Sequence, residues 1–213
     1  MSDHRQAPPV SVVIITKDEE GRIERCLETV RWAAEVIVVD AYSGDRTVEL
    51  AKRMGARVFQ REWAGYSVQK NFAIAQATQP WILSLDADEQ VSPALANEIQ
   101  ARLPLAREVA FTVPVPLYFL GRKLGYYFRR SAGYVRLFRR DRGGFNDALV
   151  HETVHVSGPI GELKAPILHD SYASPSLLSY WRKIHFYADL EARQIAVDGH
   201  GWADWLGNRW LRA

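Results

Sequence analysis

Cysteine is almost missing from the chain. Of 213 residues only Cys26 is one, so no intramolecular disulfide can form and a disulfide-stapled scaffold is excluded. Cys26 falls between Ile23 and Val30 at helical spacing, which reads as a buried packing position in a protein of a reducing, cytoplasmic setting. Long apolar runs are missing too. The nearest, Val109 to Leu120, is shorter than the roughly 18 residues of a membrane span and is broken by Pro114 and Pro116. The opening, Met1 to Pro9, is polar and holds no apolar signal region, so export is not expected. Glycine-rich phosphate loops are absent: neither GxGxxG nor GxxxxGK followed by Ser or Thr occurs, which removes the central feature of the dinucleotide and P-loop readings.

What is present is a globular composition, 47% hydrophobic and 24% charged, in a length that can bury one large core. The net charge of +2 conceals an asymmetry. Residues 1–120 carry 13 basic and 16 acidic side chains, residues 121–213 carry 14 and 9. The two parts are expected to do different work.

The first hundred residues alternate apolar runs with helical patterns. Val10 to Ile15 is a continuous β-branched strand signal, and Ile23, Leu27, Val30 and Ala34 then recur at helical spacing. Val36 to Val39 repeats the strand signal; Ser43 or Asp45 can cap a helix through Val48 and Ala51, which Gly55 stops before the run Arg57 to Phe59. A helix over Ser67 to Ala77 leads into a strand over Trp81 to Leu85, and Ser92-Pro93 reads as N-cap and first position of a helix bearing Leu95, Ile99 and Leu103. This predicts an open α/β domain with a largely parallel sheet. Beyond Leu103 short strands are predicted at Ala110 to Val115, Tyr134 to Phe138, Val154 to Val156 and Ile167 to His169, extending the same sheet. An amphipathic helix follows over Ser176 to Val197, with Leu178, Trp181, His185, Ala188 and Ala192 on one stripe, and the tail holds Trp202, Trp205 and Trp210. The expected organisation is one domain, 1–213, with a first half at 1–103, a mixed-strand half at 104–175 and a C-terminal helix and tail at 176–213.

Ligands of open α/β sheets bind beyond the carboxyl ends of the strands, and here those ends are acidic. The first predicted strand runs into Thr16-Lys17-Asp18-Glu19-Glu20, the second into Asp40, the fourth into Asp86-Ala87-Asp88-Glu89. Carboxylates do not cradle phosphate unaided, so a divalent cation is implied between them. Asp86 and Asp88, two apart in extended chain, can face one site: one carboxylate holds a hard cation, the other a hydroxyl or a second oxygen of that cation.

The segments SVVIITKDEE, VVDAYSGDRT and WILSLDADE, in this order and spacing, resemble the nucleotide-sugar domain of the family 2 glycosyltransferases of GT-A fold, and among them the lipopolysaccharide core β-glucosyltransferases of bacteria. The likeness continues through REWAGYSVQKNFA, YVRLFRR, FNDALVHE and ILHDSY, over roughly residues 10–190. One motif departs: Ala41-Tyr42-Ser43-Gly44 stands where relatives commonly show serine, glycine and threonine.

The resemblance implies that Thr16, Asp18 and Glu19 line the nucleoside pocket and that Asp40 contacts base or ribose. It implies Lys70 at a phosphate or the ribose, although a solvated helix lysine is the plain alternative. Asp86 would hold the ribose or sugar, and Asp88 an Mg²⁺ or Mn²⁺ ion bridging the two phosphates, with His169 completing the metal site. For the general base of an inverting transfer the candidates are Asp147, Glu152 and Glu162; the resemblance favours Glu152, beside His151, with Asp147 next. Residues 121–142 carry eight basic side chains against Asp141 alone, and at least one of Arg136 and Arg139 is expected to face the cleft and neutralise the leaving diphosphate.

The expected reaction is transfer of a hexose, glucose by the resemblance, from a UDP-sugar to a saccharide acceptor, lipid-linked or of the lipopolysaccharide core. The alternatives are a sugar nucleotidyltransferase, whose glycine-rich opening loop is absent, and a non-catalytic nucleotide- or RNA-binding module. No nucleic-acid motif accompanies the basic segment, so nucleic acid is not an expected partner. The tryptophans and arginines of the tail suit peripheral contact with the cytoplasmic face of the inner membrane, or packing in a homodimer.

Overall fold

The computed structural model describes residues 7–116, 118–119, 122–123, 133–147 and 152–169, together with the helical positions 181, 185, 188 and 192. Its centre is a seven-stranded sheet. The strands are β1 (Val10–Thr16), β2 (Glu35–Asp40), β3 (Arg57–Gln60), β4 (Trp81–Asp86), β6 (Ala110–Val113), β9 (Tyr134–Arg139) and β12 (Ile160–Glu162), in the order β12-β6-β9-β4-β1-β2-β3. Only β9 runs against its neighbours; the other pairings are parallel.

The continuous apolar runs of the central strands follow from burial on both faces. Alternate residues serve opposite sides. Val12, Ile14, Val38, Leu83 and Leu85 join the core beneath α1 (Ile23–Glu28), α2 (Thr47–Arg53) and α4 (Pro93–Arg102), with Ile23, Leu27, Leu50, Leu95 and Ile99. Val13, Ile37, Val39 and Ile82 join Ala73 and Ile74 of α3 (Tyr66–Gln76) and Phe138 on the other face. The period of two divides one strand between two cores. Cys26 is buried in the first, and burial pushes its thiol far above the usual range, so it is a packing group.

The helix starts are mixed in their agreement with the sequence. Ser92 caps α4 as expected, its Oγ accepting from the Leu95 amide at 3.2 Å, with Pro93 at the first position. Asp45, not Ser43, serves α2: its Oδ1 accepts from the Thr47 amide at 2.9 Å. The first helix is shorter than its apolar spacing suggests. It stops at Glu28, where the Thr29 hydroxyl donates to the Cys26 carbonyl at 2.7 Å, yet Val30 beyond it is still fully buried.

The expectation that all the later strands extend the main sheet is corrected. Val154–Val156 (β11) pairs antiparallel with β10 (Gly143–Phe145) in a separate ribbon, and Ile167–His169 (β13) pairs with β5 (Glu89–Val91). A further short pair joins β7 (Tyr118–Phe119) to β8 (Arg122–Lys123). Period-two patterns mark a strand but not its partner. Of the stripe on the predicted C-terminal helix, Trp181, His185, Ala188 and Ala192 are helical, and the first three are exposed. Leu178, the tail tryptophans and His151 lie outside the described residues.

Candidate active site

The loops after β1 and β2 are laced together. Asp18 donates its amide to Ser43 Oγ at 2.8 Å and accepts the Gly44 amide at 2.7 Å; Glu20 donates its amide to Asp45 at 3.1 Å and accepts the Arg46 amide at 3.1 Å. The Glu19 amide donates to Thr47 Oγ1 at 2.7 Å. Much of the acidic run is thus a brace. The Glu19 carboxylate pairs with Arg22 at 2.9 Å, yet burial outweighs that cation and holds its pKa above the usual range.

Asp40 is fully buried. Its carboxylate accepts from Thr16 Oγ1 at 2.9 Å, from the Ser43 amide at 2.8 Å and from Ser43 Oγ at 2.5 Å. Thr16 is also buried, so of the expected nucleoside residues Asp18, half exposed, is more open to a ligand than Glu19, whose side chain is 22% exposed.

At the end of β4 the charged groups converge. Lys70, on α3, is buried with its Nζ 3.0 Å from Asp86 Oδ1, 2.7 Å from Glu152 Oε1 and 5.2 Å from the centre of the Phe145 ring. It is no solvated helix lysine. Burial pulls the ammonium toward neutrality, but the carboxylates of Asp86 and Glu152 outweigh it and hold its pKa above the ordinary value. Arg136 enters from β9: its guanidinium lies 2.8 Å from Glu89 and 3.6 Å from Asp86. Withdrawal from water alone would raise the Asp86 carboxyl; Lys70 and Arg136 instead hold it well below the usual carboxylate range.

Glu89 was not singled out in the sequence. It is 2% exposed in its side chain, accepts the Asp86 amide at 2.9 Å and binds Arg136, and burial pushes its pKa up to about 7 despite that cation. The alternation Glu89, Val91 inward along β5 was the available signal. Asn71 was missed as well. Its amide donates to the Phe145 carbonyl and accepts the Phe145 amide, both at 2.9 Å, fastening β10 to α3. No sequence signal marks that contact, because β10 is brought there by tertiary pairing.

His169 stands opposite Glu89 in the β13–β5 register, and its Nε2 is 3.0 Å from Asp88 Oδ2. A carboxylate oxygen and an imidazole nitrogen this close together could hold a divalent cation, and Mg²⁺ or Mn²⁺ commonly takes one or two protein ligands plus substrate phosphates. Among the described residues no group of three His, Cys, Asp or Glu is placed to hold a metal ion by itself. Asp86, already held by two cations, is the poorer ligand. Arg136 Nε, buried and without a hydrogen-bond partner among the described residues, is a donor that a ligand oxygen would satisfy.

Arg139 and Glu162 lie elsewhere. Arg139 pairs in register with Trp81, at the start of β4, and binds Asp141 at 3.2 Å; three residues along an extended strand carry it about 10 Å from the Arg136 position. It faces away from the cleft edge. Glu162 is exposed on the sheet's outer strand β12, whereas Asp147, also exposed, follows Asn146, whose amide donates to the Thr153 carbonyl beside Glu152.

The chain matches the family described as Glycosyl transferase family 2 over residues 11–158. It is 32% identical over 204 residues to an uncharacterized glycosyltransferase of Rickettsia typhi, covering 89% of this chain and 69% of that one. It is 31% identical over 169 residues to the lipopolysaccharide core biosynthesis glycosyltransferase LpsC of Rhizobium meliloti, covering 76% and 63%. The S. aureus TarS 1–349 structure, at 18% identity, superposes with a TM-score of 0.57 over 75% of this chain and 60% of that one, which shows the shared GT-A fold.

Proposed function

The chain belongs to glycosyl transferase family 2, and from that premise we propose that it moves a hexose, glucose in this reading, from a UDP-sugar to a saccharide acceptor of the lipopolysaccharide core or another envelope glycan, with inversion at the anomeric carbon. The observation that carries the reading is the convergence of Asp86, Lys70, Arg136 and Glu152 at the carboxyl edge of β4, beside the Asp88–His169 pair.

Glu152 is the proposed base. Lys70 fixes its Oε1, while Oε2 makes no hydrogen bond among the described residues and is left to accept a proton. As the acceptor hydroxyl attacks the anomeric carbon, its proton passes to Glu152 and the bond from that carbon to the diphosphate oxygen breaks. Arg136 and Lys70 are cations fixed before the reaction begins, close to where the diphosphate gathers charge. Asp88 and His169 would hold an Mg²⁺ or Mn²⁺ ion, which supplies further charge neutralisation to the leaving group. Asp86, pinned by both cations, is suited to accept from sugar or ribose hydroxyls. Contact with the cytoplasmic face of the inner membrane, where a lipid-linked acceptor is presented, is the role given to exposed Trp181 and the basic half of the chain. No helix among the described residues is long and apolar enough to cross a membrane.

Calorimetric titration of UDP with and without Mn²⁺, followed by UDP release from UDP-glucose in the presence of core oligosaccharide, tests the reading. Metal-dependent UDP binding with acceptor-dependent release is expected; an intact protein that binds no nucleoside diphosphate refutes it.

A further inference from the structure

Two non-glycine residues take a positive φ among the described residues: Asp18 at 54° and Tyr42 at 57°. Asp18 has a short polar side chain that tolerates this conformation. For a bulky residue such as Tyr42 it is costly, and such outliers persist only where the surroundings impose them. Here they do. Lys17 Nζ donates to the Tyr42 carbonyl at 2.6 Å, and the next residue, Ser43, is held by amide and hydroxyl to the buried Asp40 carboxylate. The ring nonetheless stays more than half exposed. It is 54% exposed, and among the described residues it lies against no other aromatic ring and its hydroxyl has no hydrogen-bond partner.

The position is informative. Tyr42 follows the end of β2, and the sheet order puts β2 two strands from β4, about 10 Å from the Asp86–Asp88 edge. The ribose and diphosphate of a nucleotide together span about that interval, from a cation at Asp88 to a base over β2. Asp40, whose oxygens are occupied by Thr16 and Ser43, is not placed to meet the base itself.

We propose that Tyr42 is the platform on which the donor's nucleobase stacks, and that Asp40 is a positioning residue that acts through the Ser43 turn to hold the ring there. The proposal rests on the nucleotide-sugar reading above. An aromatic face selects for a planar base with little regard to its edge, so base identity is read elsewhere in the pocket.

The test is calorimetric titration of UDP, and separately of inorganic pyrophosphate, into the full chain with Mn²⁺. Tyr42→Ala should weaken UDP about tenfold, equivalent to 1.4 kcal/mol, and Tyr42→Phe by less than about twofold. Pyrophosphate affinity should be unchanged in both. Tyr42→Gly should lose the same UDP affinity while melting no lower than the parent, since glycine takes the positive φ freely. Asp40→Asn should weaken UDP in the parent but add nothing to Tyr42→Ala, because it acts only through the ring. Unchanged UDP affinity in Tyr42→Ala overturns the platform. So does parallel loss of pyrophosphate, which would mean the loop has collapsed. An additive Asp40→Asn effect overturns the positioning role and returns Asp40 to direct contact. A parent protein that binds pyrophosphate but no UDP overturns the donor reading itself.

Discussion

Replacing Lys70 by Met keeps the volume of the buried stem and removes the charge that holds two carboxylates together. The Lys70 side chain is 5% exposed and Glu152 15%, so the pair between them at 2.7 Å is shielded from water. Removing one partner of such a pair costs about 3–5 kcal/mol, because the remaining charge is stranded. Asp86 lightens the loss: it is 40% exposed and keeps Arg136 at 3.6 Å. The expected cost is therefore at the low end, about 3 kcal/mol, or about 6–12 °C in Tm for a chain of this size. Neutralising Glu152 as well should restore part of that stability, about 1–2 kcal/mol, since the stranded charge is then gone. Urea titrations of Lys70→Met, Glu152→Gln and the double variant give the coupling directly. A Lys70→Met midpoint within about 1 kcal/mol of the parent, or a double variant whose loss equals the sum of the single losses, refutes the claim that this ion pair is buried and strongly coupled.

Asp88→Asn should abolish turnover and Mn²⁺-dependent UDP binding with an unchanged melting curve, because it removes a cation ligand at the sheet edge; retained metal dependence removes Asp88 from that role. Glu152→Gln should lower acceptor transfer by about 10² with UDP affinity nearly intact, measured by steady-state UDP release and calorimetry. Glu35 is expected to carry acid sensitivity. Burial alone would raise its carboxyl, but donors from Ser11, Thr78 and Arg57 hold it below the ordinary range. Its contribution is therefore full above the ordinary Glu pKa of about 4.3 and is lost as pH falls toward the folded value; Glu35→Gln should cost about 1–3 kcal/mol at pH 7 and progressively less on titration to pH 3, by urea unfolding at each pH.

The parallel half of the fold was legible because its signals are local. β-branched runs, Ser92-Pro93 and acids at strand ends each report on a few neighbouring residues, and each corresponds to an element or a cap seen in the structure. Asp86, Asp88, Lys70, Glu152, Arg136 and His169 were named from sequence and do stand together. What sequence left open is what side chains do once long-range pairing has brought them in. The same acidic residue type lines the cleft at Asp88, braces a loop at Glu20 and is sealed beneath a turn at Asp40. Arg136 and Arg139 looked interchangeable until the antiparallel register of β9 sent one to each end of β4. The strands β11 and β13, which deliver Glu152 and His169, were marked locally, but nothing local marked β10 and β5 as their partners.

That reversed strand has a consequence for how the enzyme can diversify. Because β9 runs against β6, Val113 and Tyr134 are register partners: the chain leaves the sheet and re-enters it at one point, on the rim of the cleft. The 20 residues between them are a cassette with both ends anchored in neighbouring rungs of one ladder. Loop closure depends only logarithmically on length, so doubling such an insert costs about 0.6 kcal/mol. The rim can therefore exchange its contents while every strand of the sheet keeps its register.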